Sequence, residues 1–390
     1  MDERWFLGRD DLAVLVAVLR REHRVLAPQV RSGAIVLAEL ADVADLPWGV
    51  HDVTAPGRYR LEETDPHDRD DPDDVPAGRR AFDHAVGPQG LKPLTFAPRE
   101  ALWRSRRSSG GRLAFEAVVE PAPRTAVLGA RACDLAALQL LDQHFSHREQ
   151  PDPAFARRRR SLFLVAVDCA RPAATCFCAS TGDGPVAAFG YDLALAELDD
   201  GYVVRARSEA GSAVLDALPV RTATDAEVRR AERQGAAAAA AQHRRLPGGA
   251  VAGALLDRLD SPRWAAIAER CLSCGNCTAV CPTCFCHAEG DETLLDDPTC
   301  VEHCRQWDTC FAAGHSYLHG WVVRGDTRLR YRQWLTHKLD TWFEQFGRSG
   351  CVGCGRCLTW CPAGIDLLAE LELLLDPSPQ VEGEVERAGT

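Results

Sequence analysis

Two cysteine runs with the same spacing constrain this chain more than any other feature of its sequence. Each run follows the pattern Cys-x2-Cys-x2-Cys-x3-Cys-Pro, and the runs begin at Cys271 and Cys351. Three thiolates on one tight turn can bind three corners of an iron–sulfur cubane, while the fourth cysteine starts the next helix and faces the other cluster. The pattern therefore predicts two [4Fe–4S] clusters that exchange one ligand between the runs.

The exchange divides the eight cysteines into two sets of four. The ligands predicted for cluster one are Cys271, Cys274, Cys277 and Cys361. The ligands predicted for cluster two are Cys351, Cys354, Cys357 and Cys281. Structural zinc sites also use Cys-x2-Cys pairs, but four ligands complete them, and they do not need a third cysteine at the same spacing. Iron–sulfur clusters are therefore the favoured interpretation.

A β-α-β unit is predicted in the middle of the chain. Residues 125–130 and 162–167 are short apolar runs typical of buried parallel strands. Residues 134–145 between them place leucine and phenylalanine side chains on one helical face. Because crossovers of this kind are right-handed, the two strands should lie in one parallel sheet with their carboxyl ends at the same edge.

Four cysteines are predicted to meet at that edge of the sheet. Cys133 and Cys169 directly follow the two strands, and Cys176 and Cys178 belong to the phrase Thr-Cys-Phe-Cys just downstream. Ligands usually bind at this edge, so the four thiols could hold a third [4Fe–4S] cluster. A zinc site and a group of small buried hydrophobic side chains are the alternatives.

The phrase Thr-Cys-Phe-Cys occurs a second time, at residues 283–286, directly after the first cysteine run. Cys284 and Cys286 of this copy, with Cys310 further along, are candidates for one more metal site. Packing against the adjacent cluster is the competing interpretation, and it is slightly favoured. Cys300 and Cys304 receive no role from the pattern.

Charge and hydropathy indicate where the protein is located and which partners do not suit it. The net charge is −11, and the stretch 62–74 supplies much of it with eight acidic residues and one arginine, which is typical of a solvated loop. An acidic chain is a poor partner for nucleic acid. The N-terminus has no apolar signal-peptide core, and no apolar run is long enough for a membrane span. We therefore expect a cytoplasmic protein, and its 17 cysteines indicate metal or cluster binding rather than disulfides.

The predicted fold class is a multidomain α+β protein. The predicted regions are an N-terminal α/β region at 1–120, a central α/β region at 121–250, an α-helical dicluster ferredoxin domain at 251–376 and a flexible tail at 377–390. The two cysteine runs lie too far apart for a hairpin connection, and helical patterns are expected at 254–270, 315–347 and 364–375.

Several segments together resemble one protein family. They are ARACDLAAL (130–138), CLSCGNCTAVCPTCFC (271–286), WDTCF (307–311), RYRQWLTHK (330–338) and CVGCGRCLTWCPAGIDL (351–367). The combination resembles the iron–sulfur β subunit of soluble NAD(P)-linked [NiFe] hydrogenases, also called sulfhydrogenases, and a similar subunit of anaerobic sulfite reductases. The chain departs from this pattern at Ala132, where such proteins tend to have proline, and in its acidic 62–74 stretch.

The resemblance implies an electron-transfer subunit rather than a catalytic one. Such a subunit relays single electrons between a flavin subunit that handles NAD(P)H and a catalytic subunit, here a [NiFe] hydrogenase with large and small subunits. No Gly-rich nucleotide motif follows a predicted strand in this sequence. The alternatives are the corresponding part of an anaerobic sulfite reductase, or an enzyme that reduces a sulfur species at the Cys133 site with Asp134 or Asp168 as acid or base. A structural zinc protein is the least favoured.

Overall fold

The computed structural model describes residues 3–64, 80–146, 149–247 and 251–376. Most of the acidic stretch predicted at 62–74 and the tail predicted at 377–390 therefore lie outside the described residues. Within these ranges the chain is a mixed α/β protein with several sheets. None of its described helices has the length and apolar character needed to span a bilayer.

The described residues form sixteen strands, and several of them pair with strands that are distant in the sequence. The strands are β1 (Trp5–Gly8), β2 (Arg24–Arg31), β3 (Ala34–Glu39), β4 (Val50–Ala55), β5 (Arg58–Glu63), β6 (Arg99–Arg107), β7 (Leu113–Ala117), β8 (Thr125–Ala130), β9 (Leu162–Val167), β10 (Leu193–Glu197), β11 (Gly201–Ala206), β12 (Arg221–Thr222), β13 (His287–Thr293), β14 (Cys300–Trp307), β15 (Tyr317–Leu318) and β16 (Trp321–Val322).

The helices are mostly short and concentrate in the second half of the chain. The α-helices are α1 (Leu12–Leu19), α2 (Lys92–Thr95), α3 (Ala132–Phe145), α4 (Pro153–Arg160), α5 (Cys178–Thr181), α6 (Glu209–Leu215), α7 (Asp225–Ala240), α8 (Arg263–Arg270), α9 (Asn276–Ala279), α10 (Thr327–Thr336), α11 (Trp342–Phe346), α12 (Arg356–Thr359) and α13 (Leu367–Leu375). A π-helical turn, His337–Thr341, joins α10 to α11.

An eight-stranded sheet forms the largest layer, in the order β12-β1-β11-β10-β9-β8-β2-β3. Four adjacent strands of it, β10, β9, β8 and β2, are parallel to one another. Every residue of β8 is buried, which explains its continuous apolar sequence. The predicted β-α-β unit is confirmed, because β8 and β9 pair in parallel and the chain between them contains α3, followed by the short helix α4.

The eight-stranded sheet contains strands from both of the regions predicted at 1–120 and 121–250. It takes β1, β2 and β3 from residues 1–120 and its other strands from residues 121–250. The boundary between these two regions stays a prediction, but one sheet spans it.

The region between the two cysteine runs is less helical than predicted. β13 and β14 form a hairpin that continues onto β6 and β7, giving a four-stranded sheet in the order β13-β14-β6-β7. The predicted helix at 315–347 begins only at Thr327, because β15 and β16 precede it as a small hairpin. The description of 251–376 as α-helical is therefore corrected to a mixture of helices and two hairpins.

Buried charged side chains join β14 to β6 and α4. Glu100 of β6 is 2% exposed and accepts hydrogen bonds from Arg305 of β14 and Arg158 of α4. Arg305 also forms an ion pair with Asp152 at 2.5 Å. These charged side chains look like surface residues in the sequence, yet they lie in the interior because each has its partners there.

Candidate iron–sulfur site

The two cysteine runs fold into the same local turn. In each run a glycine two positions before the third cysteine adopts a left-handed conformation, Gly275 at φ 72° and Gly355 at φ 73°. One turn of helix follows each glycine, α9 after Gly275 and α12 after Gly355. A side chain at either glycine would be strained, so the turn requires this residue type and the cysteines take equivalent positions on it.

The structure groups the predicted ligands of cluster one around a single cavity. Its thiol-bearing walls are Cys271, Cys274, Cys277, Cys357 and Cys361. The remaining lining is mainly apolar and aromatic, and includes Phe311, Tyr331 and Trp334. Cys274 is exposed and the other three members of the set are partly exposed, so this site lies close to the protein surface.

The predicted ligands of cluster two also come together, and they are more deeply buried. The thiol of Cys351 interacts electrostatically with those of Cys354 and Cys281, and the thiol of Cys357 with all three. Burial raises the pKa of Cys351 to about 12. Thus the structure places Cys281 with the second run, and Cys361 with Cys271 and Cys277 of the first.

The chemistry of the first cavity fits a cluster better than a single ion. Tyr331 and Trp334 each carry a buried donor, Oη and Nε1, for which the described residues offer no hydrogen-bond partner. Sulfurs of a thiolate-ligated cluster accept such hydrogen bonds. Across the four described ranges, no three His, Cys, Asp or Glu side chains converge closely enough to share one metal ion. A tetrahedral zinc site needs sulfurs about 3.8 Å apart, since each lies ~2.3 Å from the metal.

Two buried lysines lie near the thiols of Cys281 and Cys284. The Lys338 ammonium donates to Thr283 Oγ1 at 2.9 Å and to the Gly350 carbonyl at 3.4 Å. Burial alone would lower the pKa of Lys338, but the nearby thiols of Cys281, Cys284 and Cys351 raise it well above its usual value. Lys92 is also buried, and it donates to the carbonyls of Thr278 and Ala279 at 3.2 and 3.1 Å.

A buried ion pair joins the second run to the central sheet. Arg356 lies between the second and third cysteines of the run, is 1% exposed and pairs with Asp134 at 2.8 Å. Asp134 belongs to the first turn of α3, directly after Cys133. The Arg356 guanidinium also donates to the Gly87 carbonyl at 2.9 Å, so its charge is held from two sides.

The cysteines of the predicted third set lie near one another at this edge of the sheet. Cys133, Cys169, Cys176 and Cys178 are all buried. The thiol of Cys178 interacts with that of Cys169, and the thiol of Cys176 interacts with both. Burial raises the pKa of Cys178 to about 12. Gln242 donates to its sulfur at 3.3 Å.

Arg131 organises the sheet edge on which this set lies. It directly follows β8 and donates to the backbone carbonyls of Phe82, His84 and Ala85 at 2.9, 2.5 and 3.1 Å. It also donates to the Val167 carbonyl at the end of β9, at 3.3 Å. The guanidinium therefore holds both strand ends and the neighbouring chain segment in place beside Cys133 and Cys169.

Both copies of Thr-Cys-Phe-Cys pack against the second run. In the first copy, the Phe177 amide donates to the Gly353 carbonyl at 2.8 Å, and the Thr175 hydroxyl lies 2.8 Å from that of Thr359. In the second copy, Thr283 donates to the Gly350 carbonyl at 2.6 Å. The phrase therefore supports one cysteine turn from two sides, which accounts for its repetition.

The remaining cysteines divide into two groups. Cys284, Cys286 and Cys310 line a cavity of about 150 Å³ together with His315 and Lys338. Cys300 and Cys304 lie buried on β14, where the Cys304 thiol is 3.2 Å from a Glu302 carboxylate oxygen. The structure thus brings the predicted extra set to one cavity and leaves Cys300 and Cys304 outside it.

Sequence reasoning missed the charged residues around the thiols, although one signal was available. Lysine occurs only twice among the 45 basic residues, and both copies, Lys92 and Lys338, are buried near Cys281 and Cys284. His315 was also missed, because a histidine far from the cysteine runs carries no local pattern.

Comparisons with known proteins agree with this geometry. A family model described as a 4Fe-4S dicluster domain matches residues 270–365. The chain is 30% identical over 284 residues to sulfhydrogenase 2 subunit beta of Pyrococcus furiosus, a match that covers 72% of this chain and 81% of that protein. No solved structure matches the chain. A ferredoxin-type domain that binds [4Fe–4S] clusters therefore lies at residues 270–365.

Proposed function

The chain belongs to the iron–sulfur β-subunit family that includes this sulfhydrogenase protein, and we propose that it relays single electrons between a flavin-binding and a catalytic subunit. The flavin subunit would handle NAD(P)H, and the catalytic part would be a [NiFe] hydrogenase with large and small subunits. Family membership supports an iron–sulfur electron-transfer role within a multisubunit oxidoreductase. When bound, [4Fe–4S] clusters supply one-electron transfer.

The observation that carries this proposal is that the cysteine sets adjoin one another. Cys357 interacts electrostatically with Cys277, which links the second set to the first. Cys133 interacts with Cys354 and Cys178, which links the third set to the second. The three sets thus form a continuous series from the partly exposed Cys271 region to the central sheet, as an electron relay between two partners requires.

The ligand assignments follow the same grouping. Cluster one would be held by Cys271, Cys274, Cys277 and Cys361, and cluster two by Cys351, Cys354, Cys357 and Cys281. The third set, Cys133, Cys169, Cys176 and Cys178, would hold a third cluster. We expect about twelve irons per chain after anaerobic reconstitution, and about eight in the Cys176→Ala/Cys178→Ala double variant. A wild-type value near eight would remove the third cluster from the proposal.

The experiment that tests the relay is a comparison of electron donors to the purified, flavin-free chain. Dithionite should reduce the clusters, whereas NADH and NADPH should not be oxidised at a useful rate, because the sequence shows no hydride-handling motif. Adding the flavin subunit should restore reduction by NAD(P)H. Sustained NAD(P)H oxidation by the chain alone would refute the relay role.

The alternative of an enzyme with its own acid or base at the third set is less well supported. Asp134 forms an ion pair with Arg356, and Asp168 forms one with Arg205 at 2.6 Å. Asp168 also accepts a hydrogen bond from the Ala187 amide at 2.9 Å. Both carboxylates therefore already form structural contacts, which disfavours their use as an acid or base. A role within an anaerobic sulfite reductase would keep the same cysteine sets, and purification of the intact complex distinguishes it through the identity of the catalytic partner.

A further inference from the structure

The small hairpin of β15 and β16 exposes three large apolar side chains. Leu318 lies opposite Trp321 beside the turn of the hairpin, and Tyr317 precedes Leu318. Tyr317 is 58% exposed, Leu318 61% and Trp321 67%. Single exposed apolar residues are ordinary, but adjacent ones mark contact sites for other proteins, and tryptophan and tyrosine often dominate the energy of such contacts. The hairpin is therefore a candidate for a protein interface.

The segment that carries the hairpin is anchored to the first cysteine run at both of its ends. Before the hairpin, Thr309 Oγ1 accepts a hydrogen bond from the Thr278 hydroxyl at 2.8 Å. After the hairpin, the Thr327 hydroxyl lies 2.8 Å from that of Ser273. Because Ser273 directly precedes Cys274, the exposed hairpin projects from the segment that encloses the first site.

The first site also reaches the surface on its own. Cys274 is exposed, and Leu272 two residues before it is 67% exposed. The four cysteines of the third set are all buried, as are Cys351 and Cys354 of the second. A protein that binds beside the hairpin therefore comes closer to the thiols of the first set than a protein bound elsewhere comes to those of the third.

The charge of this segment is positive, although the whole chain is acidic. Residues 309–332 contain four arginines and one aspartate, whereas the net charge of the chain is −11. The side chain of Arg328 is half-exposed, and its nearest carboxylate contact, with Asp326, is long at 3.9 Å. Among the described residues, the Arg330 guanidinium donates to three backbone carbonyls and forms no ion pair. A partner with an acidic face is attracted to such a surface, and one with a basic face is repelled.

We propose that the β15–β16 hairpin and the exposed part of the first run form the docking surface for an acidic redox protein that exchanges single electrons with cluster one. In this interface Tyr317, Leu318 and Trp321 supply the apolar centre, and Arg328 and Arg330 supply the charged rim. Docking places the partner's one-electron carrier next to the first site, and one carrier is oxidised as the other is reduced. The assignment of this partner to an oxidoreductase complex rests on the proposed function.

Photo-crosslinking in the intact complex tests the surface. A benzophenone amino acid replaces Trp321 in the full-length chain, the complex is purified without oxygen and irradiated, and crosslinked peptides are identified by mass spectrometry. We expect a crosslink to a different subunit that holds a one-electron carrier, through a peptide rich in aspartate and glutamate. The same amino acid at Phe115, which is 68% exposed on β7, is the matched control and should not capture that peptide.

The other results of this experiment would overturn the proposal. The absence of any crosslink from residue 321 would show that the hairpin is free in the complex. A crosslink to a second copy of this chain would make the hairpin a self-association surface. Capture of the same acidic peptide from residue 115 would show that the contact is not specific to the hairpin.

Binding of the purified partner subunit gives an independent readout. Trp321→Ala should weaken binding at least about tenfold, because it truncates the central aromatic side chain of the interface. Arg328→Glu should weaken it about threefold at low ionic strength, and the difference should vanish near ~1 M salt, where charges are screened beyond about 3 Å. Phe115→Ala should bind like the wild type. Equal affinities of Trp321→Ala and the wild type would overturn the docking surface.

The two proposals fail in different ways. Dithionite reduces the isolated chain without a partner, so the iron content and the reduced spectra of Trp321→Ala should match those of the wild type whatever the hairpin binds. Failure of the docking surface would leave electron transfer from the partner unchanged in this variant. Failure of the relay would appear as NAD(P)H oxidation by the isolated chain, while the crosslink from residue 321 still formed.

Discussion

The two cysteine runs have the same spacing and the same turn, yet they lie in very different surroundings. The first run is near the surface, with Cys274 exposed and neighbouring Leu272 67% exposed. The second run is buried, and Cys351 and Cys354 are less than a tenth exposed. The shared spacing therefore specifies the local turn that carries the cysteines, whereas segments far away in the sequence determine what surrounds it.

The charged groups beside the two runs also differ. Around the second run the chain places Lys338 and the Arg356–Asp134 pair. Around the first it places aromatic side chains and Lys92, which donates to the Thr278 and Ala279 carbonyls, and the ion pair Arg270–Glu370 beside it has an arginine that is half-exposed. Hydrogen bonds, burial and nearby charge set the potential of an iron–sulfur cluster, so the two sites should differ in potential despite identical ligands.

The largest effect should come from removing the ligand that the runs are proposed to exchange. Cys361 belongs to the second run, but its thiol lies with those of Cys271 and Cys277 of the first. The variant Cys361→Ser should therefore lose or convert cluster one and leave cluster two intact. EPR spectra and iron counts of the reduced variant measure this, with Cys300→Ser as a control. If only the signal of the cluster at Cys351, Cys354 and Cys357 changed, the ligand exchange would be wrong.

The next largest effect should be on stability. Asp134→Asn leaves the buried Arg356 charge without its partner, which should reduce the free energy of unfolding by about 3–5 kcal/mol. The corresponding change beside the first run, Glu370→Gln, breaks a pair with a half-exposed arginine and should cost about 1 kcal/mol or less. Denaturant unfolding of the iron-loaded variants compares the two, and equal losses would contradict the contrast in burial.

A smaller effect is expected on the potential of cluster two. Lys338→Met removes a buried positive charge next to Cys281 and Cys351, so the reduced form should lose stabilisation and the potential should fall by on the order of 50–100 mV, about 1–2 kcal/mol. Lys338→Arg should keep most of the wild-type potential. Spectroelectrochemical titration measures both. An equal shift in the two clusters would show that Lys338 does not act on one site.

The contrast between the runs also shows which features of the structure can be predicted from the sequence alone. The common turn of the two runs and the parallel pairing of β8 with β9 were predictable, because fixed spacing and apolar strand patterns are local signals. The pairing of β14 with β6 was not, since it joins residues about two hundred positions apart through buried charges such as Glu100 and Arg305. Charged residues in a sequence indicate a surface unless their partners are known.

The smallest effect should come from a single hydrogen bond at cluster one. Tyr331 is buried on the wall of the first cavity, near the thiols of Cys277 and Cys271, and its hydroxyl has no partner in the described part of the chain. A buried donor costs stability unless it is hydrogen-bonded, so the sulfurs of a bound cluster are the acceptors that the site offers. Donation to sulfur favours the reduced, more negative cluster.

Tyr331→Phe should therefore lower the potential of cluster one by about 20–40 mV, which corresponds to less than ~1 kcal/mol, and should leave the iron content and the potential of cluster two unchanged. Tyr317→Phe, at a tyrosine that is 58% exposed, serves as the matched control and should shift neither potential. The same titration that follows Lys338→Met resolves both clusters. A shift in the potential of cluster two alone would contradict the prediction, because it would show that the Tyr331 hydroxyl does not donate to cluster one.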